Sequence, residues 1–301
     1  MKKVVVVAGP TASGKSALAV KLAKKMHTEI ISGDSIQVYK YLDIGSGKIK
    51  EEEKEGVIHH LLDILDVKEN YSVADFQKNA REIIDAKNQT MIICGGTGLY
   101  LKSCLYDYQF QEEDGAYSDE EFESLSNDEL YQRLLETDPT QAKKIHKNNR
   151  RRLLRTLTIQ KRSGTIQSEL IERQNHEMIY DAYIVGCTMP REVLYERINC
   201  RVEGMFQEGL KDEIQSLLKK GYTFDDPGMQ GIGYKEWKSY FDGTMGIEEV
   251  KNEIQKHSRQ FAKRQYTWLR HQMPVHWIDM QNQEEIENVM NEIVEWSKED
   301  D

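Results

Sequence analysis

Val4, Val5, Val6, Val7 and Ala8 form an unbroken apolar run with no alternation, the pattern of a strand buried on both faces. Helical spacing follows over Ala17 to Met26, then a second short apolar run, Glu29 to Ser32. The helical segment Val73 to Asn88 leads into a third run, Met91 to Cys94. Short strands alternating with helices predict a parallel sheet wrapped by helices. From about 112 to 178 the pattern changes to charged, helix-forming sequence with little strand signal, which suggests a helical insertion. Strand character returns at Ala182 to Cys187, followed by a helical stretch from Arg191 to Lys219. A long helix is expected from Ile247 to Arg270, where Ile254, Phe261 and Trp268 recur every seven residues and mark a buried stripe. The run Val275 to Ile278 and a helix from Glu284 to Trp296 close the chain. The expected organisation is an α/β core made of 1–111 and 179–301, with a helical insertion domain over 112–178.

A chain of 301 residues with 39% hydrophobic content can bury one large core or a core and a smaller insert. The formal net charge of −10 argues against a polyanionic partner, but local clusters decide binding. Between Lys143 and Arg162 nine Lys and Arg residues occur with no intervening carboxylate, and Arg151 and Arg155 share a helix face. A second basic surface carries Lys263, Arg264 and Arg270 with Tyr266 and Trp268 interleaved, although the spacing of Trp268 suits a core position. These tracts make a nucleic-acid partner plausible despite the net charge. Cys94, Cys104, Cys187 and Cys200 are scattered, which indicates neither a zinc site nor a disulfide framework. Met1, Lys2 and Lys3 run straight into the first strand, and no apolar stretch approaches a membrane span; a cytoplasmic protein without membrane attachment is expected.

The segment GPTASGKS, residues 9 to 16, lies between the first strand and the first helix. In that context Gly9 and Gly14 let the backbone curl so that N–H groups point at phosphate oxygens, Lys15 adds a positive charge, and the Ser16 hydroxyl is placed for Mg²⁺. Asp34 follows the second strand, at the sheet edge where ligands collect. It could organise Mg²⁺ through water, take a proton from a nucleophile, or cap a turn. Many phosphate-loop enzymes end a core strand in an acidic residue, whereas here MIIC meets Gly95 and Gly96. Those glycines with Thr97 allow close backbone approach by a ligand, or form only a tight turn. His59 and His60 read as a structural pair near the sheet edge.

Seven motifs then fall together: GPTASGKS, DSIQVY with DIGSGK, HHLLD, YSVADFQ, GGTGLY, QGIGYKE and KRQYTWLR. In their order, and over nearly the whole chain, they resemble the bacterial tRNA dimethylallyltransferase (tRNA isopentenyltransferase) family. The resemblance implies a P-loop-type core with a helical insert, and transfer of a dimethylallyl group from its diphosphate to N6 of the adenosine 3′-adjacent to the anticodon in tRNA. It implies Asp34, Thr11 and Lys15 as catalytic residues, and a diphosphate site of Gly9, Thr11, Ala12, Ser13, Gly14, Lys15 and Ser16, with Mg²⁺ on Ser16. Arg197 and Arg201 are candidates for closing over the diphosphate. The implied contacts with the tRNA anticodon stem-loop are Asp34, Ser35, Ile36, Gln37 and Thr97, then Arg151, Arg152 and Arg155. They continue with Gln230, Gly231, Gly233, Tyr234 and Lys235, and end with Lys263, Arg264, Gln265, Thr267, Trp268 and Arg270. A monomer is expected. The acidic stretch Gln111 to Glu123 opens the insertion, and the sequence departs from the family where the short segment after Tyr108 carries Glu112, Glu113 and Asp114, and in Thr156, Leu157 and Thr158. Three other readings stay open: prenyl transfer to free adenine nucleotides, a nucleotide kinase, and a non-catalytic RNA-binding module that uses the loop as an anion clip.

Overall fold

The structure is a computed structural model that describes residues 1–110, 119–172 and 177–299. The chain falls into two compact units, Met1–Tyr106 with Met178–Asp301, and Asp107–Glu177. The acidic residues Glu112, Glu113 and Asp114 lie outside the described residues.

In the first unit the chain runs β1 (Lys3–Ala8), α1 (Lys15–Met26), β2 (Ile30–Ser32), β3 (His59–His60), α2 (Val73–Ala86), β4 (Met91–Gly95) and α3 (Gly98–Leu105). In the second it forms α4 (Glu120–Glu123), α5 (Asn127–Thr137), α6 (Pro139–Ala142), α7 (Arg150–Ser163) and α8 (Gln167–Glu172). It then returns to the first unit as β5 (Asp181–Thr188), α9 (Arg191–Gln207), α10 (Leu210–Lys219), α11 (Trp237–Phe241), α12 (Ile247–Gln272), β6 (His276–Asp279) and α13 (Gln283–Trp296). The strands form one parallel sheet in the order β3-β2-β4-β1-β5-β6. A parallel sheet needs both faces covered. Accordingly Val4 to Ala8 on the central strand are wholly buried. Val5, Val7, Ile92 and Val185 pack with Leu18 and Leu22 of α1 and Val289 and Ile293 of α13.

A second core of the same unit joins Val202 of α9, Leu210 and Ile214 of α10, Tyr234, Trp237, Val250 and Ile254 to Val38 and Leu42 of the long loop after β2. The helical stretch expected over Arg191 to Lys219 is two helices, because Gly209 takes a left-handed φ of 97° that a continuing helix cannot hold. The stripe expected on the long helix is likewise more than core: Ile254 is buried, whereas Phe261 lines a cavity and Trp268 is half-buried. The second unit has its own small core of Leu130, Leu134, Ile145, Leu153 and Leu157. Ser126 opens α5 with a capping box: its side chain accepts from the Glu129 N–H and the Glu129 carboxylate accepts from the Ser126 N–H.

Candidate active site

Parallel sheets collect ligands outside the C-terminal ends of their strands. There β1 turns into α1, β2 runs out at Asp34 and β4 ends at Gly95, around a cavity of about 300 Å³. Thr11, Lys15, Ser16, Asp34 and Arg201 line it. The loop after β1 carries the one conformational strain expected of an anion cradle: Ala12, not a glycine, sits at φ 63°, and Gly14 follows at φ 90°. Because α1 starts at Lys15, the first N–H groups of that helix have no intrahelical acceptor and remain for an anion. Lys15 Nζ donates to the Pro10 carbonyl at 3.2 Å. The residue as a whole keeps some accessible surface, yet the protein packed around the ammonium holds its pKa below the ordinary 10.5. Arg201 is shifted the same way by burial, while the Asp34 carboxylate opposes that shift.

Asp34 Oδ1 accepts from the N–H groups of Ile36 at 2.8 Å and Gln37 at 3.3 Å. The turn-capping and catalytic readings of this residue are therefore compatible: one oxygen builds the turn and Oδ2 is left for chemistry. Just before the end of β4, near where an acidic residue would hold a metal shell, stands the Cys94 thiol, its pKa pushed up to about 11 by burial and the thiol hence uncharged at neutral pH. The Ser16 hydroxyl and Asp34 carboxylate line one cavity, an oxygen donor set of the kind Mg²⁺ takes alongside phosphate oxygens and water. Among the described residues no group of three or more His, Cys, Asp or Glu could hold a metal alone.

The cavity also brings together Ser35, Ile36, Gln37, Thr97, Gln230, Gly231 and Gln265. Gly9, Ala12, Ser13 and Gly14 are absent from its lining, and Ser13, within the loop, is fully buried. Arg197 is exposed, with its guanidinium near the loop: a Cβ built on Gly14 would lie 4.0 Å from it. Lys235, Lys263, Arg264, Thr267 and Arg270 are exposed outside the cavity, and the Arg270 guanidinium lies over the rings of Tyr266 and Trp277.

Several residues hold the site rather than face outward. Gln265 is buried on the inner face of α12, where Oε1 accepts from the Thr11 N–H at 3.1 Å and Nε2 donates to the Gly96 carbonyl at 2.9 Å. It pins the phosphate loop to the turn after β4. Tyr234 is wholly buried and Gly233 is buried beside it, with a φ of 98°. The close approach expected at GGTGLY is made largely by the protein itself. A Cβ on Gly95 would meet the Gly33 carbonyl oxygen at 2.3 Å, one on Gly96 the Gln265 amide at 2.2 Å, and one on Gly98 the Trp268 ring at 2.1 Å. The histidines divide as well: His60 Nε2 bonds to Glu29 at 2.6 Å, while His59 lines the cavity and burial lowers its pKa.

In the second unit, part of the basic tract is engaged by residues distant in sequence. Arg150 donates to the carbonyls of Leu125 and Glu123, both at 2.7 Å, and Lys161 pairs with Asp119 at 2.9 Å and Glu121 at 2.8 Å. Arg151, Arg152 and Arg155 are exposed on α7.

A parallel sheet whose first strand feeds a phosphate loop, with a carboxylate and a buried lysine at the same edge, defines a P-loop-type α/β protein. The family model for IPP transferase matches residues 37–272. The tRNA dimethylallyltransferase of Anoxybacillus flavithermus is 46% identical, covering 98% of this chain and 96% of that protein. That of Macrococcus caseolyticus is 44% identical over 96% and 94%. Among solved structures, the tRNA isopentenylpyrophosphate transferase of Bacillus halodurans superposes with a TM-score of 0.74 at 40% identity, covering 99% of this chain and 98% of that one. A eukaryotic dimethylallyltransferase acting on tRNA gives 0.83 at 29% identity, over 97% and 78%. The chain belongs to the IPP transferase family, the family of the tRNA dimethylallyltransferases.

Proposed function

We propose that the chain transfers the dimethylallyl group of dimethylallyl diphosphate to N6 of the adenosine 3′-adjacent to the anticodon in tRNA and releases diphosphate. The observation that carries this reading is that one cavity is lined both by the phosphate-loop residues Thr11, Lys15 and Ser16 and by Asp34. In the reaction the allylic C1–O bond breaks, the C1–N6 bond forms, and the N6 proton passes to Asp34. Negative charge grows on the leaving diphosphate, so the buried Lys15 ammonium and the first amides of α1 stabilise it most as it departs. Thr11 Oγ1, which accepts from Arg201 at 3.4 Å, positions the reacting end. The adenine amine is a weak nucleophile, because its lone pair is delocalised into the ring, and needs a base as the bond forms. Asp34 Oδ2 meets that need, with Oδ1 held by two amides. Ser16 would hold Mg²⁺, which supplies charge neutralisation on the diphosphate. An adenine reaches this recess only by leaving its stack in the anticodon loop.

The test is incubation with dimethylallyl diphosphate, Mg²⁺ and unmodified tRNA, followed by digestion and detection of prenylated adenosine. Product on AMP with none on tRNA overturns the reading.

A further inference from the structure

Glu213 stands in the first turn of α10, in a stretch, LKDEIQ, that has the composition of an ordinary solvated helix face. Its carboxylate is instead fully engaged. Oε2 accepts from the N–H groups of Asp43 at 3.1 Å and Ile44 at 2.7 Å, and Oε1 accepts from the Gly45 N–H at 3.1 Å and the Tyr234 hydroxyl at 2.8 Å. Three consecutive amides converging on an anion resemble a phosphate nest, except that here the protein supplies the anion. The Tyr234 hydroxyl also accepts from the Ser46 N–H at 3.1 Å, and its buried ring lies so close to Gly45 that a Cβ there would fall 2.6 Å from it. The loop from Asp43 to Ser46 is thus bolted at every backbone N–H.

What the bolt positions is the next residue. The Gly47 carbonyl accepts from one terminal nitrogen of Arg201 at 2.7 Å and from Gln37 Nε2 at 3.2 Å. The other terminal nitrogen of Arg201 donates to Thr11 Oγ1 at 3.4 Å. Arg201, Gln37 and Thr11 all line the cavity. We infer that Glu213 is a positioning residue for the diphosphate site, acting through the loop Asp43–Gly47 to aim the Arg201 guanidinium at the leaving group. This inference rests on the proposed prenyl transfer for the identity of the ligand, and on the hydrogen bonds alone for the route.

The charge and both oxygens are required. Glu213→Gln keeps the shape but replaces one acceptor with an NH₂ that faces backbone donors, which loosens one end of the loop. Calorimetry with inorganic diphosphate and Mg²⁺ reads the effect without turnover. Glu213→Gln is expected to weaken diphosphate binding roughly tenfold, the size of losing a hydrogen bond to a charged group, with tRNA affinity within about twofold of the parent. Tyr234→Phe, which removes only the hydroxyl, moves binding the same way by about threefold and carries the test where Glu213→Gln does not fold. The decisive comparison is a double-mutant cycle with Arg201→Ala. If Glu213 acts through Arg201, the double variant binds diphosphate no more weakly than Arg201→Ala alone. Additive losses, or a lowered melting temperature with unchanged diphosphate affinity, overturn the inference. Wild-type prenylation of tRNA is measured alongside: its failure removes the proposed reaction, while the diphosphate cycle still decides the role of Glu213.

Discussion

Two side chains of the cavity carry opposite burdens. Asp34 must accept a proton and also hold a turn, and its two oxygens divide those tasks. Asp34→Asn preserves the acceptor toward Ile36 and Gln37 while abolishing the base. We expect turnover to fall by roughly 10²–10⁴-fold, with tRNA affinity changed by less than about twofold. Comparable losses of affinity and rate would instead place Asp34 in tRNA recognition. Lys15 bears a cost in the absence of ligand. Burial holds its pKa below 10.5, so the unfolded chain binds that proton more tightly than the native one. The resulting penalty on folding is fully present below the native pKa and is relieved as pH climbs from there toward 10.5. Lys15→Met is therefore expected to melt above wild type at neutral pH without ligand, to bind no diphosphate, and to lose its stability advantage as the solution becomes alkaline. A variant less stable than wild type at neutral pH would show that the ammonium is compensated within the loop.

At the level of elements, the sheet was legible because apolar runs such as Val4 to Ala8 carry their burial in their composition. The phosphate loop and Asp34 were legible because spacing and strand ends place them on the same edge. The internal scaffold was not. Gln265 lies in KRQYTWLR among exposed cations, and only the rotation of α12 turns it inward to Thr11 and Gly96. Glu213 has the surroundings of a surface residue, and its three amide partners lie about 170 positions earlier in the chain. Periodicity reports which face is buried and says nothing of which polar side chain on that face meets a distant amide. The glycines of the β4 turn follow the same logic of neighbours. Gly95→Ala would press a methyl onto the Gly33 carbonyl, a backbone group that cannot swing aside, and is expected to destabilise the core by about 1–3 kcal/mol. Gly204, inside α9 with open space around it, offers the contrast: Gly204→Ala should stabilise by about 0.5–1 kcal/mol. Thermal or urea unfolding of the pair checks both signs, and a stable Gly95→Ala would mean that the strands part more easily than their packing implies.

For the whole molecule, a formal charge of −10 must be reconciled with a polyanionic substrate. The reconciliation lies in how charge is spent. Arg150 and Lys161 of α7 are engaged by carbonyls and carboxylates within their own unit, and Lys147 lies 3.3 Å from Asp128, so these cations already have partners in the protein. Arg151 and Arg152 are exposed on the same helix, as is Lys263 on α12, where the exposed Arg264 and Arg270 rest over the rings of Phe261, Tyr266 and Trp277 but pair with no carboxylate among the described residues. Cations of the second kind release counterions when they meet phosphates, and each such contact steepens the salt dependence of binding. Arg151→Ala combined with Arg152→Ala should therefore weaken tRNA binding at low salt and reduce the slope of log K against log salt by about 1–2, two contacts at roughly 0.7–0.9 each. Lys161→Ala should leave that slope unchanged and lower the melting temperature instead, since its charge is spent on Asp119 and Glu121. Filter binding of unmodified tRNA across a salt series, beside melting curves of the same proteins, separates the two kinds of cation. Equal slopes for all three proteins would mean that α7 lies outside the phosphate path, and tRNA affinity would then rest on the cations of α12.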